Sequence, residues 1–272
     1  MPYKKALFLL FAALAVAAAM VTVGSRGQNQ QKKVSPALEK AKEDFYTVTD
    51  YDAPESADAQ KREMKRARAK HYNLKPQKGV DPKQFMITEK RESTFGGPPS
   101  HAPDEPALPA AQSDAVVIGE VTDAQAYLSE DKVSVLSEFE VRVSDILKNN
   151  ASAPFSVGDV IDTVRGGGAV RFPSGKVIRR GMEGKPHPRI GRQYVLFLKF
   201  TDAQSRDYII ITAYELRNGR VFPLDGLNLS GTVEPAYAAY QKYAGSDEVS
   251  FMKDVWEAIA LNTGDTPKVS RP

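Results

Sequence analysis

The chain has 272 residues, 37 basic against 34 acidic, a net charge of +3, three histidines and no cysteine. The missing cysteines exclude a disulfide framework, cysteine-ligated zinc, a thiol nucleophile and a lipid-modified N-terminal cysteine. The length allows one or two domains, and a hydrophobic content of 42% suffices for a globular core.

Residues 1–25 read as a targeting segment. Lys4 and Lys5 precede the uncharged run Ala6–Val23, which ends at Gly24-Ser25-Arg26. A basic start, an apolar stretch and small residues such as Ala17-Ala18-Ala19 form the grammar of a secretory signal. The same run, as a helix, spans roughly 27 Å, so a retained membrane anchor through residues 6–23 is the rival expectation. Either way the chain is expected outside the cytoplasm, secreted or periplasmic.

Residues 26–112 are expected to form a weakly ordered arm, because apolar residues are sparse there and dense between Ser113 and Asp225. Ser35-Pro36 marks a helix start reaching about Phe45. Residues 54–71 predict a second helix around Lys61–Lys70, a run of net charge +5 with almost no apolar face to dock it. A weak segment around Gln84–Thr88 follows. Pro98, Pro99, Pro103, Pro106 and Pro109 then mark an extended spacer.

Residues 113–230 carry the strand patterns. Asp114–Val121 opens them. In Val133–Val143, residues Val133, Val135, Phe139, Val141 and Val143 alternate with Ser134, Glu138, Glu140 and Arg142, the period of two that a half-buried strand requires. A turn at Val157-Gly158-Asp159 feeds a third strand, Gly166-Gly167-Gly168 reads as a bend, and Ala169–Arg180 as a hairpin turning at Pro173-Ser174-Gly175. Tyr194–Phe200 is apolar enough to be buried on both faces. Asn218-Gly219 sits between Tyr208–Arg217 and Val221–Leu224 as a hairpin turn. Residues 231–261 are expected to hold two helices, the second presenting Phe251, Val255 and Ile259 as one stripe, before a tail at 262–272.

Catalytic constellations are poor. His71 and His101 lie in the arm, and His187, in Lys185-Pro-His-Pro-Arg189, reads as an exposed loop residue without partners nearby in sequence. The triple glycine lacks phosphate-loop spacing and leads into a strand, not a helix. Asp202, Asp207 and Asp225 occupy turn contexts, where aspartate caps its own backbone. No catalytic residue, metal ligand or cofactor is implied. Arg165, Arg171, Lys176, Arg179, Arg180, Lys185, Arg189 and Arg192 stand against the single acid Glu183. Projected together as one finger they would capture a polyanion or anionic surface; scattered, they merely solvate strand edges. Nucleic acid is disfavoured by the export signal.

Asp114-Ala-Val-Val-Ile-Gly-Glu-Val, Glu138-Phe-Glu-Val-Arg-Val-Ser-Asp-Ile-Leu-Lys, Val157-Gly-Asp-Val-Ile and Gly191-Arg-Gln-Tyr-Val-Leu-Phe-Leu together resemble the netrin-like, or tissue-inhibitor-of-metalloproteinase-like, OB-fold modules of exported bacterial proteins. The resemblance implies a mainly β fold, a five-stranded Greek-key barrel with a C-terminal helix. Its eukaryotic inhibitors reach a target's zinc with an N-terminal cysteine, which this chain lacks, so protease inhibition and its residues do not carry over. The expectation is a non-enzymatic envelope module that binds an unknown protein or anionic envelope component. A polyanion binder is the alternative, and a hydrolase with an unrecognised site the remote one.

Overall fold

The computed structural model describes residues 47–72, 81, 83, 85–92, 94–95, 106–181, 184–202, 205–226 and 235–263. The targeting segment, the helix expected at Ser35–Phe45, most of the proline spacer and the last nine residues lie outside them. Among the described residues no helix is long and apolar enough to cross a membrane.

The fold is mainly β. Strands β1 (Val48–Asp50), β2 (Thr94–Phe95), β3 (Ala115–Leu128), β4 (Val135–Lys148), β5 (Val160–Gly166), β6 (Gly168–Arg171), β7 (Val177–Gly181), β8 (Gln193–Phe200), β9 (Tyr208–Arg217), β10 (Arg220–Pro223) and β11 (Ser246–Asp247) are joined by helix α1 (Ala59–Tyr72), a 3-10 segment (Pro235–Tyr243) and helix α2 (Glu248–Thr263). The long alternating strand β4 pairs antiparallel with β3 on one side and β5 on the other. Strand β8 pairs antiparallel with both β3 and β9. Strands β5 and β9 meet in a short parallel ladder, Thr163 opposite Tyr208 and Val164 opposite Ile209. The pairings therefore run β3, β4, β5, β9, β8 and back to β3. Beyond β9 the Asn218-Gly219 turn, with φ of 54° and 68°, leads into β10; these left-handed values suit the strand twist.

The apolar run of β8 is explained by two cores. Tyr194, Leu196 and Leu198 join Val117, Phe139, Val141 and Ile210 on one face. Val195 and Phe197 turn to the other, where Tyr214, Tyr240 and Tyr243 meet the α2 stripe of Phe251, Val255 and Ile259. Each such side chain, fully buried, contributes about 1.5–3 kcal/mol. The first expected C-terminal helix is a 3-10 segment, and α2 extends through Thr263 into the stretch read as tail.

The arm departs from expectation. Strand β1 pairs in parallel with β6, and β2 in parallel with β7, so the arm brackets the β6–β7 hairpin in a four-stranded sheet, order β1-β6-β7-β2. Ile87, fully buried, packs with Val170, Phe172 and Ile178. Over these residues the weakly ordered arm gives way to an ordered one. Main-chain ladders, the buried Ile87 and the stacking of Tyr51 on Phe172 help hold it, where composition predicted too little apolar surface. The triple glycine is the expected bend: a Cβ on Gly168 would lie 2.7 Å from Val135 Cγ1, and its φ is 147°.

Candidate functional site

The outer face of β3, β4 and β5 carries a row of acids. Register places Asp123 opposite Glu140, and Glu140 opposite Asp162. One residue back on that face of β4, Glu138 faces Gln125. A bulge between Val121 and Asp123 inserts Thr122 and brings Asp123 outward, next to Glu140. Like charges directly opposite one another destabilise a sheet, so this face needs a countercharge.

Helix α1 provides it. Asp58 starts the helix, its Oδ1 accepting from the Gln60 and Lys61 amides at 2.8 and 3.2 Å. One turn from the far end, Arg68 is 2% exposed. Its guanidinium reaches Asp162 Oδ2 at 2.6 Å, Asp207 Oδ2 at 3.3 Å, the Ser205 carbonyl at 3.3 Å, and contacts Glu138. Lys65 donates to Gln125 Oε1 at 2.9 Å, and its ammonium pKa is lowered, first by burial and then by Lys61 and Arg68. Ala69 is the only apolar helix residue among those described that is buried. The helix predicted to lack a docking face is thus docked by charge. Arg62 and Arg66 pair instead with Glu55.

A cleft of about 360 Å³ stays open beside the helix, lined by Lys61, Met64, Lys65, Asp123, Glu140 and Asp162 among others. Glu140 and Asp123 are exposed in it. Among the described residues no cluster of three His, Cys, Asp or Glu is spaced to hold a metal. The chemistry available is the holding of cations.

The eight predicted cations do not form one finger. Arg165 is buried, donating to Asp225 Oδ1 at 2.5 Å and to the Pro186 carbonyl at 2.8 Å. Lys185 approaches the same carboxylate at 3.4 Å and donates to the Ile211 carbonyl. Arg165 is therefore corrected from surface cation to interior partner, because the buried Asp225 needs a countercharge. Arg171 and Lys176 face the arm, toward Asp50 and the Glu89 carbonyl. Arg179 and Arg180, consecutive on β7, point to opposite sides. The Arg180 guanidinium pKa is lowered by burial and by Arg91. Arg189 and Arg192 are exposed on the loop entering β8, Arg192 reaching Glu215 at 3.4 Å.

His187 is corrected too. It is 3% exposed, edge-on to Phe139 at 5.5 Å between ring centres, with Nε2 3.3 Å from the Gly166 carbonyl oxygen. Burial pushes its pKa down to about 3, with Arg165 adding to the effect. Asp207 and Asp225 are buried ion-pair partners instead of turn caps, whereas Asp202 does cap, accepting from the Ser205 amide at 2.7 Å. Arg68, Asp123, Glu138, Glu140 and Asp162 do not stand out in the sequence. The available signal is two acids on the polar side of β4 in a chain that also carries a helix of net charge +5.

Comparison with known proteins finds no matching family model, no matching curated protein and no matching solved structure.

Proposed function

We propose that the chain is an exported, non-enzymatic binding module of the cell envelope, built on an OB-like five-stranded barrel, which captures a cationic segment of a partner protein. The OB-like reading draws support from the pairing order β3-β4-β5-β9-β8, closing on β3, with its one parallel contact between the third and fifth of these strands in chain order. In such barrels the face of the second and third strands and the loops beside it take ligands. Here those strands are β4 and β5. Export rests on Lys4, Lys5 and the run Ala6–Val23.

One observation carries the choice of ligand: the face bears the row Asp123, Glu140 and Asp162, and a basic helix is already seated on it through Arg68. Acids there favour cations and repel polyanions. The alternative, polyanion capture by the Arg165–Arg192 region, loses Arg165 and Lys185 to Asp225. The test is fluorescence anisotropy of the purified chain with a labelled Lys/Arg-rich peptide, an Asp/Glu-rich peptide and heparin. The expected result is binding of the basic peptide alone, weakening with salt and lost when Asp123→Asn and Glu140→Gln are combined. Preference for heparin, or binding indifferent to that double substitution, would overturn the assignment.

A further inference from the structure

We infer that helix α1 is a built-in competitor for the carboxylate face, an autoinhibitory occupant that a partner's basic segment must displace. This rests on the reading that the face takes a basic segment, and adds how access to it is controlled.

The attachment of α1 differs in kind from that of every strand in the ladder. Its 14 residues bury one alanine and one arginine among those described. A helix shorter than about 15 residues has little stability of its own in water, so its seat on the sheet decides whether it persists. That seat is ionic, and a buried ion pair roughly breaks even against the desolvation of its charges. The helix can therefore leave at modest cost, provided that the carboxylates it abandons are met by other cations. Left bare, Asp123, Glu140 and Asp162 stand opposite one another, with Glu138 and Asp207 beside them. Departure without replacement is thus disfavoured, and exchange for an incoming cation is favoured.

The cleft supplies the entry point. Glu140 and Asp123 are solvent-exposed at its side, so an incoming lysine or arginine can pair there while Arg68 is still seated. Arg68 then gives up Glu138, Asp162 and Asp207 as a second cation arrives. Arg62 and Arg66 leave the acid row alone: they pair with Glu55, Arg62 also donates to the Ser56 carbonyl and Arg66 also reaches Glu63, exposed or half-exposed contacts that offer little resistance.

The test uses the full chain and a labelled synthetic peptide of residues 58–72 as competitor, with hydrogen exchange followed by mass spectrometry. Added peptide is expected to strip protection from the α1 amides while those of β4 and β8 keep theirs. If α1 occupies the face in nine molecules of ten, Arg68→Gln should raise peptide affinity about tenfold, since apparent affinity scales with the fraction of molecules whose face is open. Equal affinity of wild type and Arg68→Gln, or binding that leaves α1 protected, would overturn the competitor while leaving a cation-binding face. Loss of β4 and β8 protection in Arg68→Gln would make α1 a structural layer and overturn it as well. Failure of both proteins to bind the peptide would remove the face itself as a ligand site.

Discussion

Two arginines are buried to nearly the same extent, Arg165 at 4% and Arg68 at 2% exposed, in surroundings of opposite balance. Arg165 shares the fully buried Asp225 with Lys185, two cations on one carboxylate, and spends another donor on the Pro186 carbonyl. Arg68 stands alone among Glu138, Asp162 and Asp207, one cation for three carboxylates, and Asp162 keeps 31% of its side chain exposed. The first cluster ties loops of the β module together in the interior. The second fastens a charged helix to an open cleft. A sealed cluster is a structural rivet, whereas an acid-rich one beside solvent has room for another cation.

The largest expected effect falls on the sealed side. Asp225→Ala strands Arg165 in the interior, and breaking a buried pair by removing one partner costs about 3–5 kcal/mol. Urea unfolding should show that loss in one cooperative transition. A loss below about 1 kcal/mol, the range of surface pairs, would erase the distinction between the clusters.

The same neighbourhood sets the acid limb. His187 binds a proton at its ordinary 6.5 when unfolded but only near pH 3 when folded, so the unfolded chain takes up the proton first. Stability is complete above pH 6.5 and falls as pH drops toward 3, at about 1.4 kcal/mol per pH unit. His187→Gln should flatten that slope between pH 6 and 4, measured by urea midpoints at each pH. An unchanged slope would move the acid sensitivity elsewhere.

On the open side, Arg68→Gln is expected to cost the β ladder less, about 1–2 kcal/mol, because Asp162 is already partly solvated and the glutamine amide can still donate to a carboxylate. Raising salt from 0.1 to 1 M shortens the screening length from about 10 to 3 Å, and should loosen α1 before it moves the transition of the ladder. Hydrogen exchange at the two salt concentrations separates these. Simultaneous loss of α1 and β4 protection would show that the two clusters are alike after all.

The ladder is legible in sequence because it is written in local periodicity: Val135 to Val143 for β4, the unbroken Tyr194–Leu198 for β8, and Asn218-Gly219 for the last hairpin. The clusters are not. Arg68 finds Glu138 and Asp207 across 70 and 139 positions of chain, and charge, unlike hydrophobic alternation, has no period that announces burial. Strands as short as Val48–Asp50 and Thr94–Phe95 carry no pattern of their own and exist because β6 and β7 offer them edges. The eight cations between Arg165 and Arg192 look uniform in sequence for the same reason, since it gives their number but not their partners.

The smallest effect tests that last point. Arg192 is exposed and reaches Glu215 at 3.4 Å, while Glu215 is also 3.8 Å from Arg217. With Arg217 still in place, Arg192→Ala should change stability by less than about 0.5 kcal/mol, against several for Asp225→Ala in the same urea series. A comparable loss from both would mean that the surface cations hold the fold together as firmly as Arg165 does. A negligible loss leaves the loop entering β8 as solvated charge, and leaves the burial of an arginine's partner, more than the density of basic residues around it, as the measure of what each cation does.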